Sequence, residues 1–155
     1  MNAATFEEEQ EMQRILALAP CQCLSVRQAA RAITQLYDEA YRTTGIRATQ
    51  FPILMCARRS GAIAVSKMAE YLVMDRTTLT RNLRPLQREG LIAIESGTDK
   101  RTKSISLTDA GRAKFSEALP FWEEAQRRMR EGLGEDRVAR LADDLRAAVD
   151  FTRAA

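Results

Sequence analysis

The sequence predicts a mainly α fold with a small β-hairpin, the α+β arrangement of a winged helix-turn-helix framed by further helices. Three observations lead there. A short apolar-periodic helix from Ser66 is followed within a few residues by a second helix with one Leu stripe and one cationic face. That helix is sharply started and stopped. Directly after it come two alternating strands around a basic turn.

The second helix of the motif carries the chemistry. Asp75 is a strong N-cap, because its carboxylate can accept the orphan N–H groups of the first turn, and Arg76 opens the helix. Leu79, Leu83 and Leu86 recur at i, i+4 and i+7 and predict an inward stripe. Pro85 removes one helical hydrogen bond and predicts a bend, since the stripe continues through it. Gly90 at C′, with Leu91 packing back on Leu86, predicts a Schellman stop. The outer face presents Arg76, Thr77, Thr78, Thr80, Arg81 and Arg84 with no acid among them, whereas a merely solvated face mixes both signs. Arg forks onto guanine O6 and N7, and Thr reaches base edges, phosphates or thymine methyls, so this face is the candidate DNA reader.

The wing follows at once. Ile92 and Ile94, then Ile105 and Leu107, alternate with polar or small residues and predict two strands with one apolar face. The turn between them, Ser96 to Arg101, ends in charge, and Lys100, Arg101 and Lys103 favour a phosphate or minor-groove contact. Ser66, the expected cap of the motif's first helix, and Lys67 beside it complete the candidate DNA-contacting set. Met68, Ala69 and Leu72 are the expected inward face of that helix, and Ile63 to Val65 reads as a short third strand.

These residues resemble the MarR family of bacterial transcriptional regulators. The resemblance rests on the run DRTTLTRNLRPLQREG from Asp75 to Gly90, the wing Asp99-Lys100-Arg101, and Leu107-Thr108-Asp109-Ala110-Gly111. It implies a homodimer, each subunit with a winged helix-turn-helix, binding pseudo-palindromic operator DNA. It further implies that Arg101 enters the minor groove while Asp99 orients nearby Arg side chains. By the same resemblance 1–155 is one MarR-like domain, with a DNA-binding lobe over 46–107 and dimerisation helices over 5–45 and 108–155. One departure stands out. The turn between the two motif helices is Val73-Met74-Asp75, where the family often has Gly, and a Val there is poorly suited to positive φ.

The flanking elements read as helices in order. Thr5 to Leu18 is a short amphipathic helix with Phe6, Met12, Ile15 and Leu16 behind Glu7, Glu8 and Glu9, closed by Pro20. A long helix is expected from a capping box at Ser25 and Gln28 through Val26, Ile33, Leu36 and Tyr41 to Gly45. The next runs from about Gln50 to Ser60, with Pro52 in its first turn, Thr49 as cap and Gly61 as stop. Beyond the wing, Thr108 caps a long helix through Ala118, Phe121, Trp122 and Ala125, kinked at Pro120 and broken by Gly132 and Gly134. A last helix from about Asp136 to Arg153 carries Val138, Leu141, Leu145 and Val149.

Charge is segregated. Between Arg58 and Lys103 ten Lys or Arg face five acids, while the rest of the chain holds 14 basic and 16 acidic residues, so the overall +3 understates the basic character of the motif. The acidic N-terminus is no signal peptide and no apolar run is long enough to span a bilayer, so the expected location is cytoplasmic with no membrane partner. With no His, no Gly-rich phosphate loop and no recognisable carboxylate pair, catalysis is not expected, nor is any cofactor.

Two further groups are candidates for sensing. Cys21-x-Cys23 stands just before the expected long helix, where the helix field favours a thiolate, and suits redox or soft-metal sensing; small apolar filling at a subunit junction is the competing reading. A four-ligand metal site is not expected from three Cys and no His. The resemblance also implies a small, often aromatic, effector. Tyr37, Tyr41, Phe51, Met55 and Trp122 are the candidate lining, although aromatics at helical spacing are more often core. The function expected is a sequence-specific transcriptional regulator, a homodimeric repressor released by a small molecule or by thiol chemistry. The alternatives are a sequence-blind architectural DNA binder or a winged-helix protein adaptor.

Overall fold

The computed structural model of the chain describes residues 9–15, 21–96 and 103–154. Seven helices and three strands occur among them: α1 (residues 9–15), α2 (Gln22–Tyr41), α3 (Phe51–Ser60), β1 (Ala62–Ala64), α4 (Val65–Tyr71), α5 (Arg76–Arg88), β2 (Ile92–Ser96), β3 (Lys103–Leu107), α6 (Asp109–Leu133) and α7 (Glu135–Ala154). The chain divides into two compact units, Met1–Gln35 and Leu36–Ala155.

The first unit contains α1 and the start of α2. Met12 and Ile15 on α1 and Leu24 and Val26 on α2 are all exposed. The remainder of the expected Thr5 to Leu18 helix, with Pro20, lies outside the described residues. Helix α2 starts at Gln22, three residues before the expected capping box. The Cys21 carbonyl accepts the Ser25 N–H at 2.9 Å, and the Ser25 hydroxyl bonds the same carbonyl at 3.1 Å. Ser25 is therefore an interior residue bonding back one turn, and no capping box forms with Gln28.

The second unit is built on a three-stranded antiparallel sheet of order β1-β3-β2. Ile63 and Ile94 both pair with Ile105, and Ile92 pairs with Leu107, so the apolar members of the alternating pattern stack on one face. Over that face pack Phe51, Ile53 and Leu54 of α3, Met68 of α4 and the Leu79, Leu83 and Leu86 stripe of α5, each at most 2% exposed. Each buried Leu contributes about 2 kcal/mol of transfer free energy, which is what holds the cationic face of α5 outward.

Helix ends follow local chemistry in some places and tertiary context in others. Helix α2 ends at Tyr41, not at Gly45. The buried Thr44 hydroxyl donates to the Tyr41 carbonyl at 2.8 Å and accepts from Ile46 N–H at 3.1 Å, turning the chain before glycine is reached. Gln50 occupies the cap position of α3 in place of Thr49, with its own side chain accepting from Arg47 N–H, and Pro52 sits in the first turn as expected. Helix α4 begins at Val65, its cap two residues before the expected Ser66. Its N-cap is Ala64, an extended strand residue paired with Ser104, so the sheet starts the helix where Ser66 was expected to. Helix α6 runs unbroken past Pro120 and Gly132 to Leu133, and Gly134, at φ 86°, stops it.

Both helices of the motif end in Schellman geometry. At the end of α5 Leu91 N–H bonds Leu86 O and Gly90 N–H bonds Gln87 O, with Gly90 at φ 70°. At the end of α4 Met74 N–H bonds Ala69 O and Val73 N–H bonds Glu70 O. The left-handed residue there is Val73, at φ 54°, the one non-glycine with positive φ among the described residues. The family departure noted in the sequence is thus a real conformational cost, since a β-branched side chain is held where glycine is at ease.

Candidate nucleic-acid interface

Helix α5 is presented by its two ends. The Asp75 carboxylate accepts the Thr78 N–H at 2.8 Å through one oxygen and the Thr78 hydroxyl at 2.6 Å through the other. These bonds, the hydroxyl first, hold the Asp75 carboxyl below the usual carboxylate range and keep it a charged cap. Thr78 is consequently half-buried and spoken for by the cap, not free on the reading face as its sequence position suggested. Arg76, Thr77, Thr80, Arg81 and Arg84 are all exposed on one side. The Thr80 hydroxyl donates to the Arg76 carbonyl at 2.7 Å, so it meets a ligand as an acceptor or through its methyl group.

The hairpin closes the other side of this face. Between α5 and the strands lies a groove of about 420 Å³, with Arg76, Thr80, Arg84 and Gln87 on the helix wall and Ser96 and Lys103 on the strand wall. Among the described residues Arg76, Arg81, Arg84 and Lys103 make no ion pair, whereas the other Arg-rich surface, on α6, is neutralised by pairs such as Glu124–Arg127 at 2.6 Å. Arg76, Arg84 and Lys103 line the groove and Arg81 stands beside it on the same face of α5, none ion-paired among the described residues, an arrangement that phosphates neutralise. Ser66 and Lys67 are exposed on α4, with Lys67 paired to Glu70 at 3.2 Å, an exposed bridge worth at most about 1 kcal/mol. Asp99, Lys100 and Arg101 lie outside the described residues. Gln87 and Ser96 were missed in the sequence, because only the β2–β3 pairing brings Ser96 opposite Lys103 at the rim of the groove.

The wing's base is held by the Leu107-Thr108-x-x-Gly111 motif. The Thr108 hydroxyl accepts Gly111 N–H at 3.0 Å, capping α6, and donates to the Gly90 carbonyl at 2.6 Å. One side chain thereby ties the end of β3, the start of α6 and the stop of α5.

The candidate sensing groups are placed as follows. Cys21 and Cys23 are free and exposed, Cys21 at the cap of α2 and Cys23 within its first turn. No group of three or more His, Cys, Asp or Glu that could hold a metal occurs among the described residues. Tyr41 and Phe51 are each 1% exposed and stack with ring centroids 5.2 Å apart; Tyr37 and Trp122 flank them at 6.3 and 6.2 Å, and Phe115 stacks on Phe51. Burial pushes the Tyr37 and Tyr41 phenols up, so both stay protonated. The rings fill one another's space as core, while Met55 lines a separate cleft on the far side of α3. No helix among the described residues is long and apolar enough to cross a membrane.

Comparison with known proteins agrees with this geometry. The MarR-family sequence model matches residues 46–103. An uncharacterized HTH-type transcriptional regulator of Bacillus subtilis, YwoH, is 30% identical over 92 residues, covering 59% of this chain and 67% of its own. The organic hydroperoxide resistance transcriptional regulator of B. subtilis is 31% identical over 90 residues, covering 57% and 61%. Among solved structures the M. tuberculosis transcriptional regulator MosR in complex with DNA is 38% identical, with a TM-score of 0.77 over 86% of this chain and 98% of that one. With its winged helix, its cationic groove and these relatives, the chain belongs to the MarR family and is a sequence-specific DNA-binding transcriptional regulator.

Proposed function

We propose that this regulator acts as a homodimeric repressor in the cytoplasm, with α5 of each subunit in successive major grooves of a pseudo-palindromic operator. The observation that carries this is the face of α5 and the adjoining groove, where Arg76, Arg81, Arg84 and Lys103 have no counter-charge among the described residues. Arg76, Thr77, Thr80 and Arg81 read or position on the major groove; Arg84, Gln87, Ser96 and Lys103 take the flanking phosphates. Ser66 and Lys67 meet the backbone from α4, and Lys100 and Arg101, organised by Asp99, act at the wing tip. A two-fold DNA site calls for a two-fold protein with reading helices about 34 Å apart. Helix α7 supports the second copy: none of its residues is buried, and Leu145 and Phe151 are 40% and 74% exposed. The segments 5–45 and 108–155 are therefore assigned to dimerisation.

Release from DNA is assigned to a chemical signal, with Cys21 and Cys23 as one input. Both thiols are exposed at the start of α2, and a relative is a regulator of organic hydroperoxide resistance. A hydroperoxide would oxidise the two thiols to a disulfide, leaving an alcohol and water. Residues two apart on a helix point to different sides, so this bond unwinds the first turn of α2.

The test is binding of purified protein to its own upstream intergenic DNA, competed with random duplex at several salt concentrations. A preference for the upstream DNA, lost on treatment with an organic hydroperoxide and kept in Cys21→Ser/Cys23→Ser protein, is expected. Equal competition by random DNA would point to an architectural binder, and no binding to an adaptor.

A further inference from the structure

The outer face of α5 is chemically one-sided. Between Arg76 and Arg88 the helix holds no acid and two side-chain amides, Asn82 and Gln87. Asn82 is half-buried, and its Nδ2 donates to the Met74 sulfur at 3.7 Å, so this amide is committed to the turn that precedes α5. Gln87 is exposed, but it stands about 16 Å along the helix axis from Arg76, on the wall opposite Ser96 and Lys103. Reading helices meet base edges with their N-terminal residues. That leaves the exposed patch of Arg76, Thr77, Thr80, Arg81 and Arg84. The Thr78 hydroxyl is held by the Asp75 carboxylate at 2.6 Å, and the Thr80 hydroxyl donates to the Arg76 carbonyl at 2.7 Å. Within the patch the guanidinium groups can only donate, and Thr80 offers a methyl group and an oxygen lone pair.

We propose that this patch selects a half-site of guanine and thymine, with Arg81 forked onto guanine O6 and N7, Thr80 packed on a thymine methyl, and A·T pairs read from the thymine side. The proposal rests on the assignment of α5 to the major groove and names the bases it selects there. Guanine shows two acceptors side by side, which satisfy a two-pronged donor, whereas adenine shows one acceptor beside an amino group that opposes a second donor. Bidentate reading of adenine takes a donor and an acceptor on one side chain, as in Asn or Gln, and Asn82 is committed to Met74. The amino group of cytosine calls for a carboxylate, which α5 lacks. Thymine is marked by its methyl, and Thr80, its hydroxyl proton already bonded, meets it with a methyl of its own. Arg76 and Arg84 flank Thr80 at i−4 and i+4 along the row that lines the groove beside Lys103. Arg81 is the guanidinium of the patch that stands outside that groove, clear of the phosphates held there.

Selection of the full chain on random duplex supplies the half-site, and base analogues then remove single atoms from it. Replacing guanine by 7-deazaguanine, which lacks N7, should weaken wild type about tenfold at one position and leave Arg81→Ala protein unmoved there. Deoxyuridine in place of thymine removes the methyl alone and should cost wild type several-fold. That loss should persist in Thr80→Val, which keeps the side-chain methyl, and vanish in Thr80→Ser, which keeps the hydroxyl. Substituting 7-deazaadenine at each adenine of the half-site should change nothing, and Asn82→Ala protein should select the same bases as wild type. A loss on 7-deazaadenine, none on 7-deazaguanine or deoxyuridine, or a deoxyuridine loss that survives in Thr80→Ser would each overturn the proposal. Selected sites without a two-fold repeat would count against the homodimeric operator reading, and the analogue pattern on the single site still decides the base code.

Discussion

Gly111 passes so close to Leu91 that a Cβ placed on it would stand 1.8 Å from the Leu91 carbonyl oxygen. The contact is backbone against backbone, between the start of α6 and the residue that joins α5 to the wing. No rotamer change can relieve it.

Gly111→Ala should therefore destabilise the protein by about 3 kcal/mol, at the upper end for adding one methyl group to a packed site. Because the strain falls where Thr108 ties α6 to Gly90, the wing should shift and DNA affinity should fall with stability. Denaturant midpoints and operator titrations on the same samples read both. An unchanged midpoint would mean that the two segments are not in contact in solution.

Val73 and Gly90 occupy the same position in two Schellman stops, and only one of them is glycine. A left-handed conformation costs an L-residue about 1–2 kcal/mol, and glycine gives back part of that gain through its freer unfolded chain. Since Val73 is 56% exposed, little packing is lost, and Val73→Gly should raise stability by about 1 kcal/mol, or roughly 3–5 °C in Tm. Thermal melts decide it, and a lower Tm would show that the Val73 side chain makes a contact worth more than its backbone strain.

The cap of α5 should be visible in acid. Hydrogen bonds from Thr78 hold the folded Asp75 carboxyl below its unfolded value, so their contribution is fully present above about pH 4 and is lost as pH falls through the folded pKa. Asp75→Asn keeps a neutral cap without that titration. Urea midpoints of wild type and Asp75→Asn should differ at neutral pH, wild type being the more stable, and converge as pH falls below the usual carboxylate range. A gap that persists unchanged in acid would place the difference elsewhere.

Base reading and phosphate holding should separate by mutation. Arg81→Ala should cost about 1–3 kcal/mol of operator affinity and relax preference at one base position. Lys103→Ala and Arg101→Ala should weaken binding evenly across sequences and reduce the slope of log affinity against log salt by about one each. A loss confined to a single operator variant on mutating Lys103 or Arg101 would contradict their assignment to the backbone.

What the sequence by itself determined is whatever its neighbours along the chain can enforce. Asp75, the Leu79, Leu83 and Leu86 stripe, and Gly90 specify where α5 starts, which side it buries and where it stops, because capping, periodicity and positive φ act within a turn or two. The alternation of Ile92, Ile94, Ile105 and Leu107 likewise specifies the wing, and Thr108 its junction with α6. Tertiary structure decided the rest, where distant residues compete with local preference. Sheet pairing made Ala64 the cap of α4 ahead of Ser66, and a threonine buried against the core ended α2 before Gly45. The Asp75 cap claimed Thr78, and strand register carried Ser96 and Lys103 to the groove beside Gln87. The aromatic residues that suggested a ligand cleft stack as core because they meet from three separate helices, and Arg153, 83 residues away in sequence, reaches the Glu70 carbonyl. Spacing along a chain records a helix face, but which faces meet is recorded only in the packing.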